Sequence, residues 1–245
     1  MDALKLTLSG DFGHFKRLEG AAIKQTHTIP TRTALFGLFG AIFGEERDSY
    51  YEEYGENISL AIIPDNIRRI QIPQLQLSTS SALTSVEGVG ISAPDGTENR
   101  QQHGIEYLID PKYTIFIKGP DKYLSELSNR IERNRYAFTP YLGTTECLAR
   151  LTDPTTIQLT QQQYNPKIEV NSVVPEDDVQ SVSGSEEAKV TFERMATNFK
   201  KTQHSRKPTG FTSTVVPLNN KPLIVQPTEN TEVYQTNTDQ SIIFL

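Results

Sequence analysis

Apolar side chains in the first part of the chain recur with two different periods. Leu4, Leu6 and Leu8 alternate with polar residues, which predicts a half-buried strand over residues 3–9. Runs rich in β-branched and aromatic residues extend this strand pattern further along the chain. They predict strands at 58–63, 67–77, 105–109 and 113–119, and a short extended segment at 145–151.

Three segments instead have helical character. Residues 33–43 are apolar nearly all round, which predicts a buried helix. Thr31 or Thr33 is expected to cap its start and Gly44 to end it, while Gly37 and Gly40 are expected to allow close packing on a sheet. A short acidic helix is predicted at 45–54. A third helix is predicted at 121–134, capped by Asp121, with Leu124, Leu127 and Ile131 on one face.

The order of these elements predicts the fold class. A β, α, β, β, α, β order is typical of a ferredoxin-like or RNA-recognition-type βαββαβ domain, so we expect an α+β protein. The third and fourth strand patterns are separated by residues 78–104, which are rich in Ser, Thr, Gly and Asn and could be a loop or a projecting hairpin.

The composition changes at about residue 152. Thr, Gln, Val and Pro then dominate, which predicts a β-rich C-terminal extension over 152–245 after a first domain over 1–151. Residues 175–187 are expected to be an acidic surface loop. Short strands are predicted at 167–174, 211–216, 222–226 and 241–245.

Composition narrows the class of protein. The 245 residues are 36% hydrophobic and 22% charged, enough for an ordinary core. No run approaches the roughly 18 apolar residues of a membrane span, and the first residues lack the regions of a secretory signal. One cysteine, Cys147, excludes an internal disulfide and a cysteine-based zinc site and fits a reducing cytoplasm. It is expected to be a small buried residue.

The net charge of −6 argues against a nucleic-acid binder, but the charges are segregated. Residues 14–32 carry four cations against Glu19, whereas 45–56 carry six acidic side chains against Arg47 and 176–187 carry five with no cation. A basic surface beside acidic surfaces is therefore possible.

The basic segment combines cations, rings and imidazoles in two loops, next to a strand end and a helix start. This chemistry suits a surface for phosphates and bases rather than a packed core, and the helix start favours anions. Phe12 and Phe15 lie at a strand–loop junction, where alternation would bury one ring and expose the other for stacking. The cations are Lys16, Arg17, Lys24 and Arg32, and the imidazoles are His14 and His27.

Several segments together resemble one protein family. They are GDFGHFKR at 10–17, TIPTRT leading into ALFGLFGAIFG at 34–44, ERDSYYEEY, IEYLIDPKY at 105–113 and TPYLGTTECLA at 139–149. This chain resembles Cas5, the subunit of CRISPR type I interference complexes that holds the 5′ handle of the guide RNA, and is most similar to the subtype I-B branch. The resemblance covers residues 4–150 well and the tail loosely.

The resemblance implies a non-catalytic RNA-binding subunit with a β-hairpin thumb, for which 78–104 is the natural candidate. It also implies partners: the guide RNA, a Cas7 backbone, a Cas8-type large subunit, a separate Cas6-type nuclease, and target DNA read indirectly through guide pairing. The RNA-binding residues then expected are Phe12, His14, Lys16, Arg17, Lys24, His27, Arg32, Thr33, Arg100, His103 and Tyr141.

Two alternatives compete with this assignment. In the subtype I-C branch Cas5 itself cuts precursor RNA with a Tyr, Lys and His set, so His14 and His27 could be catalytic. Against this, Lys118 after the thumb is followed by Gly119 and not by a histidine. A generic RNA-recognition-type binding module is the other alternative. The four histidines are scattered and form no metal motif, so no metal or cofactor is expected.

Overall fold

The computed structural model describes residues 1–17, 23–65, 67–78, 99–184, 188–203 and 205–245, with backbone only at 23, 71–78, 99–103 and 184. The first part of the chain contains β1 (Asp2–Ser9), β2 (Phe12–Gly13), β3 (Phe15–Lys16), β4 (Ile23–Lys24), β5 (Thr26–His27), α1 (Arg32–Phe43), α2 (Tyr51–Asn57), β6 (Ser59–Pro64), β7 (Arg68–Ser78), β8 (Asn99–Ile109), β9 (Lys112–Lys118), α3 (Asp121–Glu132) and β10 (Arg150–Gln158). The remainder contains β11 (Thr160–Gln161), β12 (Ile168–Val170), β13 (Val174–Pro175), β14 (Val179–Gly184), β15 (Val190–Ala196), β16 (Phe199–Lys201), β17 (Arg206–Pro208), β18 (Phe211–Pro217), β19 (Leu223–Pro227), β20 (Tyr234–Gln235) and β21 (Ser241–Ile242).

A four-stranded antiparallel sheet organises the first part of the chain. Its strand order is β10–β1–β9–β6. Because side chains alternate along each strand, each of its strands contributes to two cores. Leu4, Leu6 and Leu8 of β1 pack with α1 and α3 in the larger core, whereas Ala3 lies in a second core together with Phe116. Residues of the C-terminal extension cover this second face of the sheet.

Helix α1 begins and ends as the sequence predicts. The hydroxyl of Thr31 accepts a hydrogen bond from the amide of Ala34, and Gly44 adopts a left-handed conformation with φ of 81°. The glycines were expected to allow close packing against a strand. Instead, Gly40 packs against the ring of Tyr50.

Helices α2 and α3 differ in detail from the predicted ones. The acidic helix predicted at 45–54 is observed only at Tyr51–Asn57, because Asp48 has a φ of 62° and so interrupts helical geometry before it. Helix α3 begins at Asp121, so its N-cap lies one residue earlier than the predicted cap at Asp121. Pro120 is its N-cap, and Asp121 lies in the first turn, where its negative charge interacts favourably with the positive end of the helix dipole. Leu124, Leu127 and Ile131 are buried as predicted.

Strands β7 and β8 form one long antiparallel ladder. Their register runs from Arg68 opposite Ile109 to Ser78 opposite Asn99. Residues 99–104, which the sequence assigns to a loop or hairpin, therefore extend β8. The remainder of that segment, 79–98, lies outside the described residues.

Within the described residues the C-terminal extension contains three three-stranded sheets, β11–β20–β21, β12–β19–β14 and β13–β18–β15. A core of apolar side chains joins the last two. The predicted strand at 167–174 is split into β12 and β13, and the one at 241–245 is shortened to β21. Of the expected acidic loop at 175–187, the described part is a 3-10 turn at Glu176–Asp178 followed by strand β14, and residues 185–187 lie outside the described residues.

The extension is attached directly to the first sheet. Strand β10 spans residues 150–158, so the predicted extended segment at 145–151 lies mostly too early and the boundary between 151 and 152 falls inside this strand. At the opposite edge, the amide of Val173 donates to the carbonyl of Ile62 at 2.9 Å, and the amide of Leu245 donates to that of Leu60 at 2.8 Å.

Candidate nucleic-acid interface

A cleft of about 300 Å³ lies where the start of α1, the β3–β5 pair and the extension meet. Its lining is cationic and aromatic, which suits phosphates and bases. The cations are Lys16, Arg194 and Arg206, and the rings include Tyr50, Tyr51, Tyr141 and Phe199. A larger cleft of about 560 Å³ between α2 and α3 has Lys122 as its cation and two carboxylates, Glu53 and Glu126, so it suits an anion less well.

Strand alternation explains which side chains of the first loop are buried and which are exposed. Strands β3 and β5 pair Phe15 with His27 and Lys16 with Thr26. Phe15 is buried and Lys16 is exposed, while Phe12 is 45% exposed. The expectation that one of the two phenylalanines would be buried and the other exposed is confirmed.

Two arginines that line the cleft are held against aromatic rings of the extension. The guanidinium of Arg206 lies 4.9 Å from the ring centre of Phe199, and it donates to Asp48 at 2.9 Å. Burial lowers the pKa of Arg206, but the nearby Tyr51 and Asp48 outweigh it and raise the pKa overall. Arg194 lies 4.8 Å from the ring centre of Phe211. These contacts orient both cations while leaving them charged.

The two histidines are buried, which corrects the expectation that these imidazoles lie in loops at the binding surface. His14 is 4% exposed, and its Nδ1 lies 2.7 Å from the carbonyl oxygen of Glu106, which can only accept a hydrogen bond. His27 is 5% exposed and faces the carboxylate of Glu193. Both imidazoles are therefore engaged inside the fold, although His27 also lines the cleft.

A buried carboxylate is the centre of the polar network beside the cleft. Glu193 of β15 accepts from Arg17 at 2.9 Å and from Arg69 at 3.1 Å. It also faces Nδ1 of His27 at 3.2 Å and accepts from the amide of Thr28 at 3.0 and 3.1 Å. Burial opposes its ionisation, but the hydrogen bonds and charge of His27 and the bonds from Thr28 outweigh it, so the pKa of Glu193 lies below its ordinary value.

The sequence did not identify Glu193 or Arg69 as members of this site. Arg17 is 176 residues away from Glu193 along the chain, and Arg69 is 124 residues away. A single glutamate in a strand of alternating polar and apolar residues forms no recognisable sequence motif. Only the three-dimensional pairing of the extension with the first loop brings them together.

Three further candidates lie inside the fold or half inside it. Arg32 donates to the carbonyls of Gly55 and Ile58 at 3.0 and 3.1 Å, and burial lowers its pKa, so this guanidinium already serves the end of α2. Thr33 is buried at the start of α1. Lys24 is half-buried on β4.

The remaining candidates are divided between exposed and undescribed side chains. Tyr141 is 41% exposed at the cleft, and Phe12 makes an edge-to-face contact with Tyr107 at 6.1 Å between ring centres. The side chains of Arg100 and His103 lie outside the described residues.

Neither a metal site nor a membrane span is found in the described parts of the chain. Across these ranges no group of three or more His, Cys, Asp or Glu side chains could hold a metal ion. No helix among the described residues is long and apolar enough to cross a bilayer. Cys147 is buried as expected, and burial raises the pKa of its thiol.

Sequence comparison finds CRISPR-associated relatives. A family profile described as CRISPR-associated protein (Cas_Cas5) matches residues 3–214. The CRISPR pre-crRNA endoribonuclease Cas5d of Thermus thermophilus is 28% identical over 166 residues, 63% of this chain and 65% of that protein. The CRISPR system Cascade subunit CasD of Escherichia coli is 26% identical over 153 residues, 59% of this chain and 66% of that protein. The matches thus span slightly less than two thirds of either relative.

Solved structures of similar fold are also CRISPR proteins. A CRISPR protein from Archaeoglobus fulgidus superposes with a TM-score of 0.63 at 14% identity, covering 99% of both chains. A chain of a CRISPR RNA-guided surveillance complex has a TM-score of 0.56 at 18% identity, covering 90% of this chain and 91% of its own. At these identities the likeness concerns the fold.

Proposed function

This chain belongs to the CRISPR-associated Cas5 family, and from that membership we propose that it is a non-catalytic subunit of a type I interference complex that binds the 5′ handle of the guide RNA. The observation that carries the proposal is the cleft in which Lys16, Arg194 and Arg206 face the same space as Tyr141. Cations that track phosphates beside rings that stack on bases are the usual means of holding single-stranded RNA.

The proposal includes a subtype and a set of partners. We infer a subtype I-B complex, in which this subunit would join a Cas7 backbone to a Cas8-type large subunit in the cytoplasm, with a Cas6-type nuclease supplying the guide. Target DNA would be read by guide pairing. The sequence segments quoted above support the subtype, and the relative named as a Cascade subunit supports the assembly.

We further infer a division of the chain into a ferredoxin-like domain with a thumb and a β-rich extension. The antiparallel order β10–β1–β9–β6 with two helices on one face supports the ferredoxin-like assignment. Because β10 belongs to this sheet, the division is better placed after residue 158 than at 151. The β7–β8 ladder supports a thumb over 78–104.

The proposal is tested by assembling the complex with a cleft variant. The full chain is co-expressed with Cas7-type and Cas8-type subunits and guide RNA, either as wild type or with Lys16→Ala and Arg194→Ala. The matched control is Lys167→Ala with Arg133→Ala, which removes the same charge from exposed positions outside the cleft. We expect the cleft variant to lose guide RNA in a salt series and the control to retain it. Equal retention by both variants would refute RNA binding at this cleft.

Precursor RNA cleavage is a second candidate function. Two observations favour it: a relative is named a pre-crRNA endoribonuclease, and the cleft brings a lysine, a histidine and tyrosines to one place. Against it, the ring of His27 is buried against Glu193. Lys118 lies over the rings of Tyr234 and Phe244, at 5.5 and 5.6 Å.

Cleavage is tested with the purified chain alone. We expect precursor RNA to stay intact at neutral pH. Cutting at one position that is lost in Lys16→Ala, and in His14→Ala with His27→Ala, would make the chain an enzyme. Melting temperatures of the variants separate lost chemistry from lost folding.

A further inference from the structure

We propose that Arg17 and Arg69, oriented by Glu193, form a separate site for one phosphate of the guide RNA at the base of the β7–β8 ladder. This inference rests on the proposed function, because it assigns a further contact to the same RNA. It gives the extension a role in binding, since Glu193 is a positioning residue supplied by β15.

The three side chains are brought together from distant parts of the chain. Arg17 precedes the undescribed residues 18–22, Arg69 is the second residue of β7, and Glu193 lies in the middle of β15. Nη2 of each arginine donates to the same oxygen, Oε1, at 2.9 and 3.1 Å. The other oxygen, Oε2, faces His27 at 3.2 Å and the amide of Thr28 at 3.1 Å. One carboxylate thus fixes two guanidinium groups side by side.

The charges in this cluster do not cancel. Two guanidinium groups face one carboxylate, so one positive charge is left over even when His27 is neutral. Among the described residues, Asp48 also faces two arginines, but one of them, Arg47, is 88% exposed, whereas both arginines of this cluster are partly buried. A surplus positive charge in a partly buried place attracts an anion, because the low local dielectric strengthens the attraction.

Each arginine has donors left for a ligand. Nη2 of Arg17 and of Arg69 donates to Glu193, and among the described residues no other hydrogen bond of either guanidinium is found, so within those ranges the rest of each planar fork stays available. The Nε of Arg17 is buried and has no hydrogen-bond partner within the described ranges, so it is an unsatisfied donor at the inner side of the cluster. The side chains are 22% and 34% exposed, respectively, whereas that of Glu193 is fully buried. The carboxylate is therefore behind the arginines, and the arginines face outwards.

The position of the cluster favours RNA as the source of the phosphate. Lys16, the neighbour of Arg17, lines the cleft, as do His27 and Arg194, which flank the cluster. A strand bound in the cleft that continues towards β7 would pass the two arginines. Arg68 offers a matched comparison, because it is an exposed neighbour whose side chain points to the opposite face of β7.

The test measures binding of a single-stranded RNA with the guide's 5′ handle to the full chain over a potassium chloride series. The variants are Arg69→Ala, Arg69→Lys and Arg68→Ala. We expect Arg69→Ala to weaken binding roughly tenfold at low salt and to reduce the slope of log affinity against log salt by about 0.7, the value for one phosphate of a single strand. Arg69→Lys should keep the slope and recover part of the affinity, since the charge remains without the fork. Arg68→Ala should match wild type.

The outcomes separate this inference from the proposed function. Tight RNA binding by wild type with the same slope in Arg69→Ala would overturn the phosphate site and leave the cleft assignment standing. Equal losses in Arg69→Ala and Arg68→Ala would also overturn it, because any cation would then serve. Absence of RNA binding by wild type, both alone and assembled with its partners, would overturn both. Arg69→Ala removes one of the two arginines that pair with the buried Glu193 carboxylate, so its melting temperature is expected to fall, whereas Arg69→Lys keeps a cation there; melting temperatures are measured alongside, and binding is compared below the lowest of them.

Discussion

Gly40 lies against the ring of Tyr50, so close that a Cβ at position 40 would come within 2.7 Å of two ring carbons. The ring has little room to move, because Tyr50 is 7% exposed and packs against Tyr51 and Tyr54 at 4.7 and 5.6 Å between ring centres. The glycine therefore allows the segment between α1 and α2 to fold back onto α1.

Replacing Gly40 should destabilise the fold. Gly40→Leu is expected to cost about 1–3 kcal/mol or more by overpacking, even though leucine favours a helix more than glycine does. Thermal and urea unfolding measure the effect. Gly37→Ala is the control, since its Cβ would meet only the hydroxyl of Tyr50 at 3.3 Å. In a double mutant with Tyr50→Ala the penalty of Gly40→Leu should shrink; strict additivity would contradict this account.

Glu193→Gln should destabilise the protein at neutral pH by about 1–3 kcal/mol, because the engaged arginines and His27 lose a buried partner. The difference in free energy of unfolding between wild type and Glu193→Gln depends on pH. The pKa of Glu193 is lowered by folding, so its contribution is complete above the ordinary glutamate pKa of about 4.3 and is lost as pH falls through the lower folded value.

Urea unfolding from pH 7 to pH 3 checks this dependence. The wild-type and Glu193→Gln curves should converge at the acid end. The matched control is Glu169→Gln, an exposed position on β12 that should follow wild type throughout. A constant gap between wild type and Glu193→Gln at all pH values would mean that packing, and not charge, is responsible.

Tyr141 should contribute to RNA binding by stacking. Tyr141→Ala is expected to weaken binding of handle RNA by about 1–3 kcal/mol, the usual range for one stacked base, and Tyr141→Phe should keep most of it. Fluorescence anisotropy gives the affinities. Tyr164→Ala removes a ring that is 55% exposed outside the cleft and should have no effect. Similar losses at both positions would point to a general loss of aromatic surface.

The ladder of β7 and β8 offers a clean place to remove the proposed thumb. Because Ser78 and Asn99 are paired, a short Gly-Ser linker can replace residues 79–98 without breaking the register. We expect the melting temperature to stay within a few degrees of wild type, while joining of Cas7 and guide RNA is lost. Gel filtration with guide RNA present is the measurement. Normal assembly of the linker variant would place the contact surface elsewhere, with residues 10–33 the next segment to test.

Local patterns predicted the elements well where one physical rule decides them. The alternation of Leu4, Leu6 and Leu8 identified β1, and the Thr31 cap and Gly44 end of α1 are confirmed. The start of α2 was missed because composition does not reveal that Asp48 adopts a positive φ. Propensity alone cannot exclude a turn that tertiary packing selects.

The candidate site was less predictable than the fold. Lys16 and Tyr141 do line the cleft, but the sequence placed His14 and His27 at the surface, and they are buried. Whether a loop histidine faces solvent depends on what packs over it, and here His27 meets Glu193, 166 residues away. Contacts of this range have no signature in one sequence.

The two hydrogen bonds that Val173 and Leu245 make to the carbonyls of Ile62 and Leu60 occupy the outer side of β6. An uncovered edge strand is a template for pairing with another molecule, and natural proteins avoid leaving one exposed. The extension thus protects the sheet against association between copies. Removing the extension would free the carbonyls of Leu60 and Ile62 on an apolar strand. The shortened chain should therefore aggregate, even if the core of the first domain could still form.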